Sequence, residues 1–78
     1  GSREKDESKE LNDEYKKLLE EYERLLRRSE ELVKRAKGPR DEKELKRILE
    51  ENEDILRRTK EILERTKEIS EEQKYRRR

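Results

Sequence analysis

One face of the chain is marked at gaps that alternate between four and three residues. In the first half the marked positions are Leu11, Tyr15, Leu18, Tyr22, Leu25, Ser29, Leu32 and Ala36. In the second they are Leu45, Ile48, Asn52, Ile55, Thr59, Ile62, Thr66, Ile69 and Gln73. A mean repeat of 3.5 residues is the signature of helices wound into a left-handed supercoil. With Tyr15 and Asn52 placed at heptad position a, Leu11, Leu18, Leu25, Leu32, Ile48, Ile55, Ile62 and Ile69 occupy d. A third apolar row at e holds Leu19, Leu26, Val33, Leu49, Leu56 and Leu63. Of nineteen hydrophobic residues only Tyr75 falls outside a, d and e. No charged residue occupies those rows from Ser8 to Ala36 or from Leu45 to Gln73.

The pattern is interrupted once, at Lys37-Gly38-Pro39-Arg40-Asp41. Gly38 suits the left-handed position after a helix end, and Pro39 cannot continue that helix. Lys34, Arg35 and Lys37 complement the dipole of the preceding helix, and Asp41 with Glu44 reads as a capping box opening the next. These signals predict a helix over 4–37, a loop over 38–40 and a helix over 41–76. A connection this short makes the helices antiparallel neighbours. Residues 1–3 read as a cleavage scar or frayed end, and residues 77–78 as a basic tail. The expected fold is all-α, an antiparallel two-helix hairpin that assembles into a left-handed, coiled-coil-like bundle, most simply of four helices.

Assembly is expected because the stripe is wide. A two-stranded seam uses a and d alone, whereas a stripe of a, d and e lets each helix touch two neighbours. An isolated hairpin provides only one.

The a row is mostly polar. In an antiparallel hairpin closed near Gly38, a residues whose numbers sum to 81 share a level. Ser29 then faces Asn52, Tyr22 faces Thr59, Tyr15 faces Thr66 and Ser8 faces Gln73, while Asn12 and Ser70 at e also fall level. Buried hydroxyls and amides require hydrogen-bond partners, so matched polar layers point to networks that fix register and oligomeric state. At the open end, Ser8, Asn12, Ser70 and Gln73 are either networked or solvated.

The capped hairpin, the a/d/e core and the layers Ser29/Asn52, Tyr22/Thr59 and Tyr15/Thr66 resemble de novo designed helical-bundle oligomers with buried hydrogen-bond networks. The resemblance covers nearly the whole chain, in style rather than through a motif. It implies association with another hairpin, either a designed partner chain or a copy, and no enzymatic activity. It also implies a soluble, synthetic chain expressed recombinantly in a cytoplasm.

Charges beside the stripe bear on the partner. Position g flanks d, and its level pairs Glu14/Arg65, Glu21/Arg58, Arg28/Glu51 and Arg35/Glu44 are all opposite in sign; Glu7/Glu72 alone is not. Position b flanks e. For a copy related by a two-fold along the bundle, its level pairs are Lys9/Lys74, Lys16/Lys67, Glu23/Lys60, Glu30/Glu53 and Lys37/Lys46, of which one is attractive. The expectation leans toward a heterodimer, with the homodimer as its alternative.

Composition excludes other classes. Of 78 residues 60% are charged and 24% hydrophobic, which ordinarily signals disorder. Here 24 basic residues nearly balance 23 acidic ones, and with two Gly and one Pro the chain is rich in helix formers. It has no Cys and no His, and its longest apolar run is two residues, so neither a disulfide framework nor a membrane span is expected. A net charge of +1 with mixed signs gives no footprint for nucleic acid. The carboxylates of the central helices lie on b, c, f and g, where i,i+4 pairs such as Glu20–Arg24, Glu30–Lys34, Asp54–Arg58 and Glu61–Arg65 are expected. No catalytic residue, cofactor, metal or small-molecule substrate is expected. The alternative function is a monomeric scaffold binding a helix or ligand along its polar, aromatic face.

Overall fold

The described residues form two helices: α1 spans Ser2–Ala36 and α2 spans Glu42–Arg76. The computed structural model describes residues 2–38 and 41–76. The expected loop residues Pro39 and Arg40 and the tail at 77–78 lie outside the described residues. α1 begins at Ser2, within the stretch read as a scar or frayed end, and closes one residue before the expected position 37.

α2 opens on Asp41, whose Oδ1 accepts from Glu44 N at 2.8 Å, while its carbonyl accepts from Leu45 N at 3.1 Å. This is the side-chain cap that Asp supplies to an otherwise orphaned helix N–H. The Glu44 carboxylate lies 4.0 Å from Arg35 across the hairpin. Replacing Asp41 by alanine should lower stability by about 1 kcal/mol, read as a shift in the urea midpoint. An unchanged midpoint would assign helix entry to packing alone.

The end of α1 differs from expectation. Gly38 does not adopt a positive φ. Instead Lys37 N donates to the Lys34 carbonyl at 3.2 Å and Gly38 N to the Arg35 carbonyl at 3.3 Å. The last turn tightens into i→i+3 bonds, which satisfy terminal carbonyls without a left-handed residue. A Cβ at Gly38 would meet only the Arg35 carbonyl oxygen at 3.8 Å, an ordinary contact.

The d row forms the seam between α1 and α2. Ile69 is 0% exposed, and Ile62 and Leu32 are 1% exposed. Leu11, Ile48 and Ile55 are also buried, and Leu18 and Leu25 are half-buried. Near the loop, Leu25 and Ala36 pack against the cluster of Leu32, Ile48 and Ile55. A seam one side chain wide gives a rod of 60 × 15 × 14 Å. Its radius of gyration is 17.8 Å, against about 11.5 Å expected of a compact chain this long.

Candidate interaction face

Beyond the buried d row the other two rows fan out onto one open side. The ten a residues from Ser8 to Gln73 are half-buried apart from Tyr15, which is 37% exposed. The e row is open throughout. Leu19, Leu26, Val33, Leu49, Leu56 and Leu63 are between 42% and 61% exposed. The result is an apolar strip on each helix with a polar channel between the strips.

The channel holds isolated hydrogen bonds. Ser29 Oγ donates to Asn52 Oδ1 at 3.2 Å, at the expected level. At the open end Gln73 Nε2 donates to Asn12 Oδ1, so Gln73 pairs with Asn12 rather than with Ser8, and Ser70 is exposed. The longer Gln side chain reaches the e position across the gap. At the third level Thr66 Oγ1 donates to the Leu63 carbonyl at 3.0 Å instead of engaging Tyr15. A threonine hydroxyl turns back onto its own helix when nothing nearer competes for it. Tyr22 and Thr59 are both half-buried, and no hydrogen bond joins them among the described residues. Among the described residues no buried side-chain nitrogen or oxygen lacks a partner, so the channel strands no polar group out of reach of solvent.

The two flanks of the stripe contrast sharply. On the g side Arg65 grips Glu14 through Nε at 2.5 Å and Nη2 at 2.7 Å. Arg58 holds Glu21 at 2.5 and 2.9 Å, and Arg28 holds Glu51 at 2.7 and 2.9 Å. The planar guanidinium matches a carboxylate bidentately. Each of these arginines spends its remaining Nη1 on a glutamate three residues onward, at 3.1 Å: Glu31, Glu61 and Glu68. The expected i,i+4 pairs Asp54–Arg58 and Glu61–Arg65 therefore give way. Arg58 and Arg65 turn across the seam, and Asp54 pairs with Arg57. Neither Glu20–Arg24 nor Glu30–Lys34 forms an ion pair among the described residues.

One contributor was missed by sequence reasoning. Arg76 lies 2.9 Å from Glu7 and 3.4 Å from Glu72, bridging the one like-charged g pair. Its i,i+4 spacing from Glu72 was the visible signal. With Arg35–Glu44, all ten g residues from Glu7 to Glu72 carry ion pairs. None of the ten b residues from Lys9 to Lys74 does among the described residues; all ten are exposed.

Hydrogen bonds from Arg65, Arg58 and Arg28 hold the carboxyls of Glu14, Glu21 and Glu51, respectively, below their ordinary value of 4.5. A depressed folded-state value stabilises the hairpin fully above pH 4.5, and this contribution is lost as pH falls through the lowered values. Thermal stability should therefore be flat from neutrality to about pH 5 and then decline. The decline should shrink when Arg58 and Arg65 are both replaced by methionine. An equal acid decline in that variant would place the sensitivity outside the ladder.

Two further observations bear on chemistry. A cleft of about 600 Å³ at the open end is lined by Lys5, Glu7, Ser8, Asn12, Glu72, Gln73, Tyr75 and Arg76, a polar set unlike the apolar walls of ordinary ligand pockets. Among the described residues no group of three or more carboxylates is placed to hold a metal ion, and no helix is long and apolar enough to cross a membrane. Comparison of the chain with protein families, curated proteins and solved structures gives no match.

Proposed function

We propose that this chain is a structural interaction module, one hairpin of a helical-bundle dimer, most simply of four helices, whose activity is assembly rather than catalysis. The observation that carries this reading is the row of six aliphatic side chains at e, 42% to 61% exposed, running beside a half-buried polar row. Scattered exposed leucines need no explanation, but a continuous strip along both helices of one face does. Surface area supports it. The hairpin exposes 6923 Å², whereas a folded monomer of its mass of 9.7 kDa exposes about 5,100 Å². The excess, about 1,800 Å², is of the size that one subunit buries in an obligate helical dimer.

In this reading a second hairpin covers the a and e rows, and Ser29, Asn52, Tyr22, Thr59, Tyr15 and Thr66 become interior polar layers that select the register of the partner. A heterodimer is favoured over a homodimer. The chain fits the style of de novo designed bundle oligomers. A monomeric scaffold with a small-molecule site is less well supported, because the cleft of about 600 Å³ at the open end is lined largely by charged and polar side chains. Native mass spectrometry and melts over a range of micromolar concentrations test the proposal. The melting temperature should rise with concentration, with folded species heavier than one chain. A cooperative, concentration-independent melt of a folded monomer, both alone and mixed with a charge-complementary hairpin, would overturn it.

A further inference from the structure

We infer that the occupant of the open face is a non-identical helical hairpin whose outer flank is net acidic. This rests on the reading of the chain as a bundle subunit and names the chemistry of its partner. The chain's outer flank, row b, carries seven lysines and three glutamates, a net charge of +4. None of the ten has an ion pair among the described residues, whereas the g flank is paired throughout. Every base on g is arginine and every base on b is lysine. Charge on the inner flank is thus satisfied, whereas the flank beside the exposed e row, where a docked hairpin places its own flank, carries an excess of +4.

A second copy presents the same excess. With the copy's loop at the same end, four of the five level pairs are like-charged, Glu23 with Lys60 being the exception. Turning the copy end for end sets Lys9 near Lys37, Lys46 near Lys74, Lys60 near Lys60 and Glu23 near Glu23, against the attractive pairs Lys16 with Glu30 and Glu53 with Lys67. In either arrangement a flank of +4 meets a flank of +4. Such pairs are individually weak, but like-charge juxtaposition along a whole interface suppresses a partner effectively. The complementary occupant carries acids level with Lys9, Lys16, Lys37 and Lys46 and bases level with Glu30 and Glu53. It also supplies hydrogen-bond acceptors at the Tyr22/Thr59 level, where neither hydroxyl has a hydrogen-bond partner among the described residues.

The test uses a complementary probe made from the chain itself. In α1 it carries Lys9→Glu, Lys16→Glu and Glu30→Lys, with Lys37→Glu just beyond the helix end. In α2 it carries Lys46→Glu, Glu53→Lys, Lys67→Glu and Lys74→Glu. These changes leave a, d, e and g untouched, exchange residues of similar helix propensity, and turn the b flank from +4 to −4. Sedimentation velocity of each chain alone and of the mixture is compared at about 20 mM and about 500 mM salt, where screening differs severalfold. The expected result is a 1:1 mixed dimer at least about 100-fold tighter than either self-assembly at low salt, with most of that preference lost at high salt. A tight wild-type homodimer that does not exchange with the probe, or a mixture no tighter than its components, overturns the inferred partner while leaving the bundle reading standing. If neither chain associates, alone or mixed, and both melt as folded monomers, the bundle reading itself fails.

Discussion

Replacing Ile62 by alanine is expected to destabilise the folded species by about 2–5 kcal/mol, the range for deleting a buried aliphatic side chain and leaving a cavity. Ile62 is 1% exposed in the seam between the helices. That seam is one side chain wide, so few neighbouring groups can collapse into the gap. For a chain of this size such a loss is a large part of its whole stability. The informative comparison is Leu56→Ala, at a residue 59% exposed in the hairpin. Where hairpins are unassociated that change should cost less than about 1 kcal/mol, since little transfer from water is undone. Where they are assembled it should approach the Ile62 value. Urea melts of both variants across a dilution series separate the rows: the Ile62 penalty stays constant, and the Leu56 penalty grows with concentration. An Ile62 penalty under about 1 kcal/mol would remove the d row as the seam.

The seam and its inner flank were legible in the sequence for a simple reason. Both depend on the chain's own antiparallel pairing, which the 3.5-residue repeat and the short break around Gly38 specify without outside information. The register that sets Arg65 on Glu14 follows from those two facts, and the structure places the fork there. Competition between local and cross-helix partners was not legible. Arg58 has Asp54 four residues back, yet it binds Glu21 and Glu61, because a bidentate grip across the seam outweighs a single exposed contact. The a row was hardest to read. The level rule placed Ser29 opposite Asn52, but Gln73 reached Asn12 and Thr66 turned back to Leu63. In a lone hairpin water competes for these groups, so their pairing is decided by side-chain reach rather than by register. The end of α1 was misjudged because Gly38 permits a left-handed residue without requiring one.

The largest effect on assembly should come from two exposed leucines. Leu26 is 49% exposed and Leu56 is 59% exposed, and both belong to the level near the middle of the e row. Replacing each by glutamate leaves the d seam and the g ladder intact and substitutes one good helix former for another. In an isolated hairpin the variant should be as helical and as stable as the parent, and more soluble. In a bundle the same positions lie under the partner, where two carboxylates per chain lose their hydration and only the one at position 56 has a base, Lys60, one turn away. Removal of apolar burial costs about 1 kcal/mol at each half-covered leucine, and an uncompensated buried charge costs several more. Association should weaken by more than about 1,000-fold, the equivalent of some 4 kcal/mol. Sedimentation should then show a single chain at concentrations where the parent assembles, with a melt that no longer depends on concentration. A double variant that assembled as tightly as the parent would show that the e row is not the contact. The lysine-rich flank beside it would then be an ordinary solvated surface.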